Sequence, residues 1–514
     1  MPSLIKYIWT EQRFPWFAAI ISALMASWII LNNQGLINND GTLYIRVASL
    51  FSSGEWKQGM ALYNWPFYPF ILAVGHQLSG LHFQTVGHLW AIICFSLSAA
   101  VFVLILKEAG GNLKVMLAGL MLFIASPDLV ADNVPKIVRE HGFWVFLLLG
   151  LWCLVRFYTS NQFRYALCWG VTLVLATLFR IEGISFLLIT PFALFFQSTR
   201  AWKTRFAMFF KAQSILLGSL FILGTLYFNH SLSADDMGRL YEPVNIIAKA
   251  FHEITEGLND KAHIYGTQVL GEWIDDCALA GLLLTLCWVV LSKVFITAGI
   301  AQSLLFCISA FSNHISSRLY AGPIFMFFAM VGFINSIFIL LNNYLLQARM
   351  TSPLAFAIQI YAAFGLLELY LNFQETRKKK VLISLVIITL LLSGQFGKTL
   401  WPPDSGDRYE IDATKWVESH KKPHDKVFYS SNRLRYYAGE YHASESLGWE
   451  GVQKLFAQND IKNYNFIVVN ISQKNPEQLK YLYAQLGKAI VQFDNGRKNS
   501  VLIYHLNVGK SLTN

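Results

Sequence analysis

A polytopic α-helical membrane body followed by a small C-terminal α/β domain is the fold class this sequence predicts. Three features predict it. Of 514 residues, 54% are hydrophobic and only 14% are charged, whereas soluble chains average about 25% charged. The charge is also uneven: Pro403–Asn514 holds 27 charged residues in 112, and the preceding 402 residues hold 45. Before Pro403 the apolar residues gather in long runs, many near the length of about 20 that crosses a bilayer as a helix. One large soluble enzyme is thereby excluded. The division falls at 1–402 for the membrane body and 403–514 for a tail long enough to bury its own core.

The net charge of +10 is of the kind that collects in cytoplasmic loops of membrane proteins. It points to a membrane and not to nucleic acid. The six cysteines (Cys94, Cys153, Cys168, Cys277, Cys287 and Cys307) all lie in apolar stretches. Neither a disulfide framework nor a metal-ligand spacing is present.

Lys6 and Arg13 precede the apolar run Pro15–Leu31, and no small-residue cleavage site follows at Asn32-Asn33-Gln34-Gly35. A retained signal-anchor helix is expected. Backbone amides in lipid must bond internally, so the apolar runs read as helices at 16–34, 84–106, 113–127, 142–158, 163–180, 183–197, 209–228, 276–293, 294–312, 320–341, 352–371 and 380–398. Lys107/Lys114, Arg156/Arg164, Arg200/Lys203/Arg205/Lys211 and Arg377–Lys380 mark cytoplasmic connections. Segments 35–83, 128–141, 180–183 and 229–275 then fall outside. Twelve spans would put the Arg377–Lys380 cluster on the wrong side. The charge cluster takes precedence, giving 11 or 13 spans, a cytoplasmic N-terminus and an extracytoplasmic tail. Segment 63–81 is apolar but contains two prolines and Trp65, Phe67, Tyr68 and Phe70. It reads as a helix lying in the outer interface, where aromatic rings suit the depth.

In the tail, strands are expected at Lys426–Ser430, Asn465–Asn470, Ala489–Phe493 and Val501–His505, with helices near 409–420, 447–458 and 476–487. Asp494-Asn495-Gly496 signals a hairpin turn. The tail has no glycine-rich phosphate loop and no nucleophile elbow.

The residues with chemical capacity sit at predicted outer edges. Asp40 opens a helical pattern in which Tyr44, Val47, Ala48 and Phe51 share its face. It is either an N-cap or a carboxylate pinned at the membrane surface for use, and one role does not exclude the other. Glu140 lies against the apolar run Phe143–Val155, where a carboxylate needs a base or donor to hold it. His141 follows it. Arg180-Ile181-Glu182-Gly183 fills a tight turn between two spans. Its charged pair is either a self-neutralising structural pair or an arginine that grips phosphate with its planar fork. Lys57, Arg318 and Tyr320 are further candidates, with snorkelling the simpler account of Lys57.

The order of these motifs resembles the C-type (GT-C) integral-membrane glycosyltransferases. The likeness is to the bacterial branch similar to protein mannosyltransferases and aminoarabinose transferases. Asp40-Gly-Thr-Leu-Tyr44, Gly54-Glu-Trp and Trp65-Pro-Phe-Tyr-Pro69 are similar to that family's first outer loop. Ser126-Pro127 leading to Arg139-Glu140-His141-Gly142 is similar to its second, and Arg180-Ile-Glu-Gly183 to its Arg-Pro-Glu-Gly turn. Arg318-Leu-Tyr320 before Pro323 is a weaker fourth match. Here Ile181 and His141 stand where the family commonly has proline. Asp40 lacks an adjacent second acid, so a metal-binding carboxylate pair is not supported there, which favours a metal-independent mode and leaves a divalent metal as the alternative.

The resemblance implies an inner-membrane enzyme that transfers a sugar, with inversion, from a polyprenyl-phosphate donor to a lipid, glycan or protein acceptor. It implies Asp40 as base and Glu140 positioning the acceptor or a cation. Arg180, Arg318 and Lys57 would lie at the donor phosphate, supported by Tyr44, Glu182, Tyr320 and His141. In the tail, Tyr436, Tyr437, Tyr441 and Trp449 either stack on an acceptor glycan or pack the small core. A transporter or flippase of lipid-linked sugar should carry charges at mid-membrane and repeated halves, and neither is visible. A non-catalytic scaffold has no reason to gather Asp40, Glu140 and Arg180 on one face.

Overall fold

The computed structural model describes residues 10–228, 255–271, 274–310, 319–401, 406–440, 448–472, 474–496 and 499–506. The chain divides into two compact units, Met1–Asn32 with Gly87–Pro402, and Asn33–Val86 with Pro403–Asn514.

The first unit is the helical body. Seven described helices are long and apolar enough to cross a bilayer: Phe14–Asn32, Phe83–Glu108, Glu140–Ser160, Ala278–Ala298, Gly322–Asn343, Ala348–Thr376 and Lys379–Leu400. Trp202–Ala212 and Ser214–Ile222 meet at a 50° bend and make an eighth if taken as one span. Four shorter apolar helices, Leu113–Ile124, Phe163–Phe179, Gly183–Phe196 and Ile300–Ser309, pack among these. Seven or eight helices of spanning length among the described residues are fewer than the 11 or 13 spans expected, because several of the apolar runs form shorter helices. The expected break near 293 falls instead at Gly299, whose φ of +104° suits glycine. The helix that begins at Gly183 tightens to 3₁₀ geometry over Thr190–Phe196, where Pro191 has no amide to donate.

Helices Glu140–Ser160 and Phe163–Phe179 form an antiparallel hairpin. Asn161 joins them with φ +54°, the left-handed region that asparagine tolerates. Their approach depends on small residues, as expected in lipid, where no hydrophobic force drives helices together. A Cβ on Gly142 would strike the Phe179 ring, and one on Gly150 would strike Leu173.

Hydrogen bonds identify the two ends of the body. At one end Arg156 pairs with Glu108 at 3.0 Å, and Arg200 donates to the Thr159 carbonyl at 3.2 Å. The basic connections around Lys107, Arg156, Arg164 and Arg200 therefore share this end. At the other, Ser126 donates to the Ala298 carbonyl at 3.0 Å, and the Trp28 indole donates to the Leu400 carbonyl at 3.0 Å. A buried polar seam ties the helices here. Gln302 and Gln359 both donate to the Ser126 hydroxyl, at 3.2 and 2.7 Å. Gln395 donates to Gln302 at 3.2 Å, and Thr297 meets Thr351 at 2.9 Å.

The second unit holds a four-stranded sheet: β1 Val427–Tyr429, β2 Phe466–Ser472, β3 Val491–Asp494 and β4 Asn499–His505. The order is β1-β2-β4-β3, with β1 parallel to β2 and the other pairs antiparallel. Alternation gives the sheet two apolar faces. One, with Val427, Tyr429, Val468 and Ile503, packs on Tyr409, Ala413, Val417 and Leu434. The other, with Phe428, Ile467, Val469 and Leu502, packs on Val452, Leu455 and Leu482. The β3–β4 turn closes as its sequence signals, with Gly496 at φ +63° and its amide donating to the Asp494 carboxylate at 2.9 Å. Helix Asn432–Tyr437, capped by Ser431, was not anticipated.

Three helices of the first loop, Asn39–Ser52, Trp56–Leu62 and Phe67–Ser79, also belong to this unit. The Ile37 amide donates to the Tyr437 hydroxyl at 3.0 Å. The Tyr436 hydroxyl donates to Gln84 at 2.9 Å, and Arg408 donates to Gln34 at 2.7 Å. The boundary read at 402/403 follows chain order, whereas the contacts add 33–86 to the tail. Phe67–Ser79 has 13 residues, too few for a hydrocarbon core of about 30 Å. Trp56, Met60, Phe70 and Leu78 are exposed along these helices.

Replacing Gly150 with isoleucine forces the hairpin apart and destabilises the body by about 1–3 kcal/mol. The same change at Gly394, which has open space around it, has far less effect. Thermal unfolding in detergent distinguishes the two.

Candidate active site

The helical hairpin accounts for the meeting of Glu140 and Arg180. Glu140 is the first residue of one helix, and Arg180 directly follows the last residue of its antiparallel partner. The two side chains therefore lie at the same open end. Arg180 Nη1 is 2.6 Å from Glu140 Oε1. Its Nη2 is 2.5 Å from Glu182 Oε1, and its Nε donates to Glu182 Oε2 at 3.2 Å, a bidentate grip. The Arg180 and Glu140 side chains are only 6% and 4% exposed, and Glu182 is 18% exposed. The turn is possible because residue 183 is glycine: a Cβ there would meet the Thr177 backbone at 2.8–3.0 Å.

Arg349 completes this group. It enters on the 3₁₀ turn Ala348–Thr351, which Thr297 pins by its contacts with Ala348 and Thr351. Its Nε lies 3.5 Å from Glu140 Oε1 and donates to Gln347 at 2.7 Å. Arg139 acts electrostatically on both Glu140 and Glu182. Among the described residues the cluster thus brings Arg139, Arg180 and Arg349 against Glu140 and Glu182. Glu140 Oε2 is buried with no hydrogen-bond partner among the described residues, an acceptor available to a ligand. Burial alone would raise the Glu182 carboxyl. The charge and hydrogen bonds of Arg180 outweigh it and hold Glu182 below the ordinary carboxylate range.

His141 is buried beside this cluster. Its Nε2 lies 3.2 Å from the Lys136 carbonyl, and its ring meets Trp144 edge-on at 5.5 Å. It braces the turn before Glu140. Tyr320 is not at this end. Its amide donates to the Ala109 carbonyl at 2.9 Å, just past the last residue of Phe83–Glu108, and its side chain is 64% exposed. The cluster's own loop packs near the start of that helix, where a Cβ on Gly87 would touch Ile137 at 3.2 Å. At 1.5 Å per residue these positions are about 30 Å apart. The outer placement expected for Tyr320 is therefore corrected, because the helix that it opens starts at the basic end. Arg318 lies outside the described residues, as do Tyr441 and most of segment 229–275.

Asp40 belongs to the other unit. It is half-buried in the first turn of Asn39–Ser52, and the cap position is Asn38. The capping role considered for Asp40 therefore falls to its neighbour, while the carboxylate keeps the favourable field of a helix N-terminus. Tyr44 is buried one turn on and meets Tyr63 and Tyr68 edge-on at 5.4 and 5.2 Å. Lys57 is exposed. Tyr436 and Tyr437 bond to the first loop through their hydroxyls, a structural role. Among the described residues no group of three or more His, Cys, Asp or Glu side chains is placed to hold a metal ion.

Arg349 went unremarked in the sequence. Its one signal was its place, a lone arginine in a short connection one span before Arg377–Lys380, and that signal needed a span parity that the sequence left in doubt.

No protein-family model and no curated protein matches the chain. Among solved structures it is similar to the archaeal oligosaccharyltransferase AglB from Archaeoglobus fulgidus, in complex with an inhibitory peptide and a dolichol-phosphate. The identity is 13% and the TM-score 0.53, over 92% of this chain and 71% of that one. ArnT from Cupriavidus metallidurans, bound to undecaprenyl phosphate, aligns at 13% identity and a TM-score of 0.41, over 96% of this chain and 98% of that one. The likeness to AglB is one of overall fold.

Arg180→Gln leaves two buried carboxylates facing one another and destabilises the protein by about 3–5 kcal/mol. Glu140→Gln in the same chain restores part of the loss, which a thermal-unfolding double-mutant cycle measures. The Glu182 contribution is present above the ordinary carboxylate value and disappears only as pH falls through the lowered one. The gap in unfolding midpoint between wild type and Glu182→Gln is therefore full and independent of pH near neutrality, and it narrows as acid is added.

Proposed function

We propose that the protein is an inverting glycosyltransferase that moves a sugar from a polyprenyl-phosphate donor to an acceptor at the extracytoplasmic face of a plasma (inner) membrane. The observation that carries this reading is the cluster in which Arg180 and Arg349 meet Glu140 and Glu182 at one end of a helical membrane body, with Arg139 acting on both carboxylates. A lipid-tailed donor brings its phosphate to such a site without leaving the bilayer. The oligosaccharyltransferase that shares the fold was solved with a dolichol-phosphate, which supports this ligand class. The charge rule applied to the opposite, basic end supports an extracytoplasmic cluster and tail.

In this mechanism Asp40 accepts the proton of the acceptor hydroxyl as its oxygen attacks the anomeric carbon opposite the phosphate. The carbon–oxygen bond to phosphate breaks, and polyprenyl phosphate leaves as an anion. It is a good leaving group and needs no strong acid. The guanidiniums stabilise the charge growing on it. Arg180 and Arg349 are the guanidiniums proposed for this role. Lys57 is a further cation proposed for this role, whereas Arg318 stands two residues before Tyr320 in the sequence, and Tyr320 lies at the opposite end of the body. Glu140 orients Arg180 and offers its unpaired oxygen to the acceptor. A lipid, glycan or protein acceptor is compatible with this chemistry. Asp40 has no adjacent second acid, which favours a metal-independent route.

The test is purified protein with a panel of polyprenyl-phosphate sugars, reading release of polyprenyl phosphate. Asp40→Asn lowers turnover about 10²–10⁴-fold. Arg349→Gln lowers it about 10²–10³-fold. Tyr320→Phe leaves it unchanged. Equal turnover by Asp40→Asn removes Asp40 as the base.

A further inference from the structure

The second unit contains a cavity of about 520 Å³ lined by Trp449, Gln453, Lys474, Asn475, Gln478 and Tyr481, among others. Its position follows from the sheet. The Gly448 amide donates to the Ser430 carbonyl at 2.8 Å, so helix Gly448–Ala457 begins at the carboxyl end of β1. Lys474 and Asn475 follow the carboxyl end of β2 and lead into helix Pro476–Leu486. The cavity thus opens at the carboxyl edge of the parallel pair, the edge where open α/β sheets hold their ligands.

The lining restricts the ligand. Lys474 is balanced by Glu477, so the walls carry no net charge and offer nothing to a phosphate group or a nucleic acid. Three primary amides, on Gln453, Asn475 and Gln478, make the walls too polar for a lipid tail. Each amide presents a donor and an acceptor side by side, which matches neighbouring hydroxyls on a sugar ring. Trp449 is half-buried. Tyr481 holds its ring edge-on at 5.6 Å and 77°, and Phe456 holds Tyr481 edge-on at 5.6 Å and 84°. This braced aromatic plane suits the flat C–H face of a pyranose. The volume lies within the range of about 300–1,000 Å³ typical of small-molecule sites.

We infer that this cavity binds an uncharged oligosaccharide, with Trp449 as the stacking surface and the three amides reading hydroxyls. Its role as a subsite for a glycan-bearing acceptor rests on the transferase reading, while the binding itself does not. The same sheet edge continues from β1 through Ser431 into helix Asn432–Tyr437, whose Tyr437 binds Ile37 three residues before Asp40. An acceptor anchored at Trp449 is thereby held on the edge of the sheet that supports the Asp40 segment.

The experiment is saturation-transfer NMR on the full-length protein in lipid nanodiscs, with neutral trisaccharides of mannose and of N-acetylglucosamine as probes. Wild type transfers saturation to the ring protons of at least one. Trp449→Ala weakens that binding about tenfold or more, and Gln478→Ala, a half-exposed position, weakens it about three- to tenfold. Thermal melts confirm that both variants are folded. No transfer to either trisaccharide overturns the inference, as does equal binding by folded Trp449→Ala. A neutral pentapeptide that displaces the trisaccharide at lower concentration assigns the cavity to a protein partner and likewise overturns it. Saccharide binding without polyprenyl-phosphate release from any donor sinks the transferase reading and leaves the cavity assigned. Release without saccharide binding does the reverse.

Discussion

A carboxylate or guanidinium at the edge of hydrocarbon persists only where an opposite charge or a set of dipoles meets it. In this protein the meeting is between Glu140 and Arg180, and much of the body is arranged to bring it about. The antiparallel hairpin aligns the two residues, Gly142 and Gly150 let its helices approach, and Gly183 lets the following turn fold back to deliver Glu182. Removing a partner from such a group costs more than the pair contributes, because the survivor stays buried and uncompensated.

The polar seam behind this cluster has a related logic. Ser126, Gln302 and Gln359 are fully buried and bonded to one another, so sliding one helix past another would break several hydrogen bonds at once in a medium that offers no replacements. Thr297 extends the seam to the turn that carries Arg349. Rigidity at this end is thus supplied by side-chain hydrogen bonds, while the Ala278–Ala298 and Lys379–Leu400 helices remain mostly exposed along their lengths.

The membrane helices were legible because lipid leaves the backbone few choices: a long apolar run has to be helical, and the runs at 84–106 and 163–180 match the observed helices closely. The tail strands were legible from their alternation and from Asp494-Asn495-Gly496. Glu140, Arg180 and Glu182 were found because charge is conspicuous beside apolar sequence. Three things were not readable. Arg349 lies between two spans whose parity was in doubt, so its side of the membrane was unknown. Tyr320 was misplaced by the same uncertainty. Helix Asn432–Tyr437 spans only six residues, too short to display a period, and its contacts join parts of the chain that no local pattern connects.

Those contacts bear on how the protein is made. Loop 33–86 emerges early, yet the residues that bind it, Arg408, Tyr436 and Tyr437, are synthesised more than three hundred positions later. At about 5–20 residues per second the interval is on the order of half a minute. During that time the loop's apolar helices are already made and their eventual companions are not. The bilayer surface is then the natural temporary resting place for Trp56, Met60, Phe70 and Leu78, and a nascent chain interrupted before the tail would leave the amide of Ile37 and the carboxamide of Gln84 without their mates. Maturation of the loop is in this sense post-translational, set by the last fifth of the polypeptide.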